Sequence, residues 1–347
     1  MKSKLILTGD INLMNVADAD VPFRKVRDEF CGADLVFSNL ECCLYEPPLG
    51  HSVDNEGFYV APDIGRKALV EANIGAVGLA NNVNYGEAAI SNSIAQLDAT
   101  GIAHTGAGVN LEHARTPIIL ERNSVRFGFL QRTSVYWPTH HEARPNTAGV
   151  AVIRGETAYQ LPMHKSRASV PPMNRPGLPP VIKTWADPAY LASFVEDLTA
   201  LRKQVDVLIA SCHWGLWDEV LEYMREIGQA AVDAGADIVV GHGPHYSLPV
   251  ECYRGKPIFY GLGSFSFHTG HNGRKHGDWL GMMARVALEQ GSVSRVAFQF
   301  VHHNDQNETE LLALAPRREA FEKLQKQSAG LGAVLTPHGD EVIVTAS

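Results

Sequence analysis

Asp10, Glu41, Asn82, His213, His242 and His245 are the residues of this chain whose types and placement could do chemistry. Each follows a short apolar run. Leu5-Ile6-Leu7-Thr8 leads to Gly9-Asp10, Leu35-Val36-Phe37-Ser38 to Asn39-Leu40-Glu41, and Val77-Gly78-Leu79-Ala80 to Asn81-Asn82. Val207-Leu208-Ile209-Ala210 leads to Cys212-His213, and Ile238-Val239-Val240 to Gly241-His242-Gly243-Pro244-His245. A sixth run, Ile258-Phe259-Tyr260, ends in Gly261-Leu262-Gly263-Ser264. Oxygen donors mixed with imidazoles suit a dinuclear hydrolytic centre. There one carboxylate bridges two cations about 3.5–4 Å apart, and bound water is acidified to a pKa of roughly 7. No thiolate set accompanies them, which argues against structural zinc. Manganese, zinc and iron all accept this donor mixture.

Each residue alone has a plainer explanation. An Asp after a strand is commonly a helix cap, Asn81-Asn82 suits a turn, and a single His is usually structural. Six such residues at the ends of five runs argue for a shared site. Cys42, Cys43 and Cys212 read as small buried apolar residues. Ser38, Ser211 and Ser264 lack the surroundings of a nucleophile elbow.

The elements that must position these residues are strands. Runs of four to six aliphatic and β-branched residues suit buried strands. If they share one sheet, their carboxyl ends form one rim, where ligands of open α/β sheets sit. Helical spacing runs from Pro62 to Asn73 and from Gly86 to Thr100, with Gly101 as a stop. Pro117–Leu120 and Val125–Leu130 read as a hairpin around Arg122-Asn123-Ser124. Further helices are expected over about 189–203, 219–234 and 317–327. An antiparallel pair is expected over 282–288 and 293–300, and a last strand over 342–345. Between about 138 and 185 the pattern gives way to a Pro-rich stretch, read as an insert or lid over the site. The whole, 1–347, reads as a single α/β domain with a short C-terminal extension at about 303–347.

Composition sets bounds. The 347 residues are 45% hydrophobic and 20% charged, with a net charge of -8, which speaks against sequence-independent nucleic-acid binding. Five cysteines without a CxxC pair point to a reducing compartment. The first apolar stretch is too short for a signal peptide, and no run approaches the roughly 18 apolar residues of a membrane span. A cytoplasmic protein acting without membrane or nucleic acid is expected.

The same residues resemble the successive motifs of the CapA family, which is linked to bacterial capsule and poly-gamma-glutamate synthesis. They are Gly9-Asp10, Asn39-Leu40-Glu41, Leu79-Ala80-Asn81-Asn82, His213-Trp214-Gly215 and Gly241-His242-Gly243-Pro244-His245. Two further stretches match, Gly106–Ala114 and Gly255–Phe265, so the resemblance covers about residues 5–301. It implies the calcineurin-like metallophosphoesterase fold, a layered sandwich of mixed β-sheets flanked by helices. It also implies two divalent metal ions: Asp10 and His245 on the first, Glu41 bridging, and Asn82, His213 and His242 on the second, with Asn81 in reserve. Two positions depart from the pattern. Asn12 stands where the wider fold often has His. Asn82-Val83-Asn84-Tyr85 lacks the His that typically assists the leaving group, a role for which Glu87, His104 or a His of the 138–165 loop could substitute.

The expected function is a metal-dependent hydrolase in which a metal-held hydroxide attacks an amide, glutamyl-type or phosphoester bond. The substrate would be small and anionic or peptide-like. His213, Asn82 and Glu87 are the expected catalytic residues. Arg132, Arg144, Lys165 and Arg167 are the expected substrate-binding cations. The competing expectations are a metal-dependent lyase or cyclisation enzyme of a biosynthetic pathway, and a non-catalytic metabolite-binding protein.

Overall fold

In the computed structural model, which describes residues 2–48, 57–164, 173–270, 273–275 and 279–347, the apolar runs form strands of two sheets. In the larger sheet, Lys2–Asn12 pairs in parallel with Leu35–Leu40, then come Ala76–Gly78 and Ala103–Thr105. On its other side Lys2–Asn12 runs antiparallel to Gly281–Glu289, followed by Ser292–His303, Glu341–Ala346 and Ala333–His338. In the smaller sheet, Val125–Thr133, Val207–His213, Ile238–His242 and Lys256–Phe259 are parallel neighbours. Ile118–Arg122 and Val250–Tyr253 close its edges in antiparallel fashion.

The expectation of one shared sheet is therefore corrected: three of the six runs lie in each sheet. An apolar run signals burial on both faces, and that is equally true of a strand in either sheet of a covered sandwich. Alternation assigns the faces. Leu5, Leu7, Leu35 and Phe37 point inward onto Phe127, Phe129, Val207, Ile209, Ile238 and Val240 of the facing sheet. Ile6, Val36 and Val77 point outward, beneath Phe30, Leu69, Ile90 and Leu97. On the far side Leu208, Ala210 and Val239 lie beneath Phe194, Leu198, Met224 and Ile227. The result is helices, sheet, sheet, helices: the calcineurin-like sandwich.

Local signals explain the flanking elements. Pro62 opens the helix Pro62–Glu71, and Gly101, in the left-handed region at φ 71°, ends Glu87–Thr100. The hairpin Ile118–Arg122/Val125–Thr133 turns through Asn123 and Ser124, both at positive φ (51° and 60°), as a tight two-residue turn requires. The Asp187 side chain accepts from the backbone N–H groups of Ala189 and Tyr190, capping Pro188–Arg202.

The 138–185 stretch is not merely irregular. Gly155–Gln160 and Val181–Ala186 form an antiparallel ribbon. The ribbon is tied to the outer helix layer where the Tyr223 N–H donates to Thr184 Oγ1. Lys165 and Arg167 lie outside the described residues. The C-terminal segment forms the helix Arg318–Ala329 and a hairpin, Ala333–His338 with Glu341–Ala346, that extends the larger sheet. Among the described residues no helix is long and apolar enough to cross a membrane.

The Phe37 and Phe129 rings stack across the two sheets, 4.7 Å between centroids and 8° from parallel, both fully buried. Phe37→Ala is expected to destabilise the fold by about 3–5 kcal/mol. Urea unfolding checks this, and a loss below about 1 kcal/mol would contradict the sandwich core described here.

Candidate metal centre

The carboxyl ends of parallel strands from both sheets meet at one place. Asp10 lies opposite Asn39 in the larger sheet, and His213 opposite His242 in the smaller one. Close approach at this rim requires glycine at position 9, since a Cβ there would stand 1.8 Å from the Gly263 carbonyl oxygen. Asp10 N–H donates to that carbonyl at 2.9 Å, and Glu41 N–H donates to the Ile11 carbonyl at 2.8 Å. The two acids are thereby carried on adjacent backbones.

Five of the expected side chains converge. His242 Nδ1 lies 3.4 Å from Asp10 Oδ1, and His245 Nδ1 lies 3.2 Å from Asp10 Oδ2. Glu41 Oε1 lies 3.7 Å from His213 Nε2 and 3.9 Å from His245 Nε2. His245 sits after Gly243-Pro244 with φ at 65°, a backbone state that costs of order 1–3 kcal/mol in a non-glycine residue. Its ring is clamped between Trp279, stacked at 4.4 Å and 4°, and Phe267 at 4.5 Å.

The proton inventory follows from burial and neighbours. Burial pushes the Asp10 carboxyl up, but contacts with His242 and His245 outweigh it and hold it far below the usual range. Burial, and then the Asp10 charge, push Glu41 well above its usual range. Burial lowers His213 to about 4 and also lowers His242. For His245 burial is outweighed by Glu41 and Asp10, and its pKa is raised. His213 is therefore neutral near pH 7, and its tautomer can be assigned. Thr133 Oγ1 donates to the Val135 carbonyl at 2.7 Å and accepts from Val135 N–H at 3.1 Å. Its remaining lone pair faces His213 Nδ1 at 3.1 Å. With the Thr133 hydrogen on the Val135 carbonyl, Nδ1 carries the proton, which leaves the Nε2 lone pair facing Glu41.

This arrangement fits a divalent metal. His213 Nε2 and both ring nitrogens of His242 are buried without a hydrogen-bond partner. Asp10 and Glu41 are at most 1% exposed, and among the described residues their ion pairs come from histidines alone. Asp10, Glu41 and His245 each bring a donor atom within 4.8 Å of the others. Two buried carboxylates faced by imidazoles call for a cation.

The remaining expected residues are placed as follows. Asn82 is half-buried at the rim, and its carbonyl accepts from Trp137 Nε1. Asn81 has no oxygen left for a metal: its Oδ1 accepts from Val83 and Asn84 N–H, and its Nδ2 donates to the Leu40 carbonyl. Glu87 is exposed on the first turn of its helix. Arg132 is corrected as a substrate contact. One residue beyond Gln131 on a strand, it points to the opposite face, where it is buried against Asp197 and the Gln131 carbonyl. Arg144 is exposed on a turn.

Both departures from the family pattern are packed into the fold. Asn12 donates to the Thr269 carbonyl and accepts from Met14 N–H, and Val83 is buried in the outer core. His104 pairs with Asp98. His141 is spent on backbone, with Nδ1 accepting from Trp137 N–H and Nε2 facing the Asn84 carbonyl at 2.9 Å.

The sequence reading missed Gln131, Thr133 and Trp279. Gln131 and Thr133 follow the apolar run Val125–Leu130, so the same signal that marked the converging residues was present for them. Nothing in the sequence marked Trp279.

Comparison with known proteins gives the family and the fold. The family described as bacterial capsule synthesis protein PGA_cap matches residues 4–269. The PGA biosynthesis protein CapA of Bacillus subtilis is 28% identical over 73% of this chain and 58% of its own length. The capsule biosynthesis protein CapA of Bacillus anthracis is 27% identical over 78% of this chain and 61% of its own. The chain thus spans about three fifths of the length of these curated relatives. A crystal structure described as a novel phosphatase from Mycoplasma pneumoniae superposes with a TM-score of 0.50 at 11% identity, covering 87% of this chain and 94% of that one.

The pKa values of Glu41 and His245 are both raised, so the metal-free cluster holds its protons more tightly than free side chains would. A metal must expel them, so affinity should rise with pH and binding should release protons. Calorimetric titration with Mn²⁺ or Zn²⁺ from about pH 6 to about pH 8, in buffers of different ionisation enthalpy, reads both effects. Affinity independent of pH would contradict the proton inventory.

Proposed function

Because the chain belongs to the bacterial capsule synthesis protein family, whose model spans residues 4–269, we propose that it is a metal-dependent hydrolase acting on a small anionic or peptide-like substrate. The observation that carries this reading is the pair of buried carboxylates, Asp10 and Glu41, faced by unpartnered imidazole nitrogens. Asp10, Glu41, His213, His242 and His245 would hold the metal pair, with Asn82 completing the set from its rim turn. When bound, the metals supply Lewis acidity toward water and toward the substrate's electrophilic centre.

The residues of the chain supply the rest. Asp10 stays ionised and anchors the cations. His213, fixed in one tautomer by Thr133, directs a lone pair into the site. The Trp279 and Phe267 rings exclude water from one flank of His245. We favour a glutamyl-type amide over a phosphoester. A relative in Mycobacterium tuberculosis, 31% identical over 53% of this chain, is described as a probable polyglutamine synthesis accessory protein. The phosphatase-like neighbour supports the fold and leaves the bond open.

A second reading has its own support. His141 is engaged at both nitrogens and Val83 is buried, so neither supplies a proton to a leaving group. In a lyase or cyclisation step the leaving group's proton can come from the substrate's own attacking N–H or from its C–H, so no protein donor at these positions would be needed. Turnover in heavy-oxygen water separates the two, because a hydrolase must place the label in its product.

The test is a panel of poly-gamma-glutamate, γ-glutamyl anilide and nitrophenyl phosphate esters, assayed with Mn²⁺, Zn²⁺ and Fe²⁺. Metal-dependent cleavage is expected, reduced by at least about 10²-fold in Glu41→Gln. Metal binding without turnover of any member would contradict the hydrolase reading.

A further inference from the structure

Behind the metal centre lies a hydrogen-bond network whose polarity is dictated by backbone groups. Asn39 Nδ2 donates to Asp10 Oδ1 at 2.9 Å and reaches Glu41 Oε2 at 3.5 Å. Asn39 Oδ1 accepts from Gln131 Nε2 at 3.0 Å and from Asn81 Nδ2 at 3.3 Å. An amide carries two donor hydrogens and two lone pairs, so Asn39 is fully used.

Neither partner is free to turn. Gln131 Oε1 accepts from Ala80 N–H at 2.7 Å. A backbone N–H can only donate, so the oxygen of Gln131 must face it and the nitrogen must face Asn39. Asn81 is fixed in the same way: its oxygen faces two backbone N–H groups and its nitrogen faces the Leu40 carbonyl. The slot for Gln131 is built to shape. A Cβ on Gly78 would stand 2.3 Å from Gln131 Oε1, and one on Gly106 would stand 2.9 Å from it.

We propose that Gln131 and Asn81 are positioning residues that lock the Asn39 amide with its nitrogen toward Asp10, so that the metal cluster is always met by a donor. The inference rests on the metal-centre reading above. Gln131 belongs to the smaller sheet and Asn39 to the larger one, so the lock also couples the two rims that the cluster spans. If the Asn39 amide turned, its oxygen would oppose Asp10 Oδ1, and two acceptors in a buried site repel. The two carboxylates would then be held less closely in the arrangement a cation pair needs.

The test is a double-mutant cycle on Mn²⁺ affinity, with thermal unfolding of the metal-free proteins alongside. Gln131→Met is expected to weaken Mn²⁺ binding about 10–100-fold. In an Asn39→Leu background the same substitution should have no further effect on affinity, although it still lowers the unfolding temperature. A merely structural Gln131 would lower affinity equally in both backgrounds, and that result would overturn the inference. Gln131→Glu keeps an oxygen for Ala80 N–H and guards against misfolding of the Met variant. Its deficit relative to the parent protein should widen as pH rises and the new carboxyl ionises, and a deficit that is absent or constant with pH would overturn the lock. Failure of the parent protein to bind Mn²⁺ or Zn²⁺ would remove the metal-centre reading and this inference with it.

Discussion

Asp10 and Glu41 lie buried beside one another, answered by imidazole nitrogens. Burying two carboxylates costs several kcal/mol for each ion unless a cation or dense hydrogen bonding offsets it. Much of the surrounding structure reads as a response to that cost. Asn39 donates toward both acids, the Gly243 N–H reaches Asp10 Oδ2 at 3.3 Å, and three histidines close the shell. Unpartnered nitrogens on His213 and His242 remain. Such atoms are rare in folded proteins and mark places where the fold serves something other than its own stability.

The sandwich exists, in functional terms, to bring two rims together. Asp10, Asn39 and Glu41 come from one sheet, and His213 and His242 from the other. Neither sheet alone could assemble the set. Packing of Phe37 on Phe129 sets the spacing between the sheets in the core, and Gln131 to Asn39 ties them at the rim. Rigid strands rather than loops carry most donors, which keeps the geometry fixed. Glu41 follows its strand directly, and His245 stands further beyond its own. It rides on a strained loop and depends on Trp279 and Phe267 to hold its ring.

Much of this was legible in the sequence. Apolar runs ending in Asp10, Glu41, His213, His242 and His245 marked both the strands and the side chains that converge, because strand ends are where side chains escape the core. The division into two sheets was not legible, since burial on both faces leaves the same apolar signature in either sheet. Arg132 was misread because a strand alternates faces, and one residue separates the site-facing Gln131 from its outward neighbour. Asn81 and Asn82 look equivalent as letters. Only the fold shows that Asn81 spends its side-chain oxygen on its own turn. The ribbon Gly155–Gln160/Val181–Ala186 hid among prolines, and Trp279 reaches His245 from 34 residues further along the chain, a contact made only by tertiary structure.

The central claim is that these buried acids and imidazoles hold a pair of divalent cations. Elemental mass spectrometry of the purified protein, beside Glu41→Gln and His245→Ala, tests it most directly. The account predicts about two ions per chain in the parent protein and a clear loss in each variant, with all three folded by circular dichroism. A parent protein that takes up no manganese, zinc or iron, even when these are supplied, would contradict it.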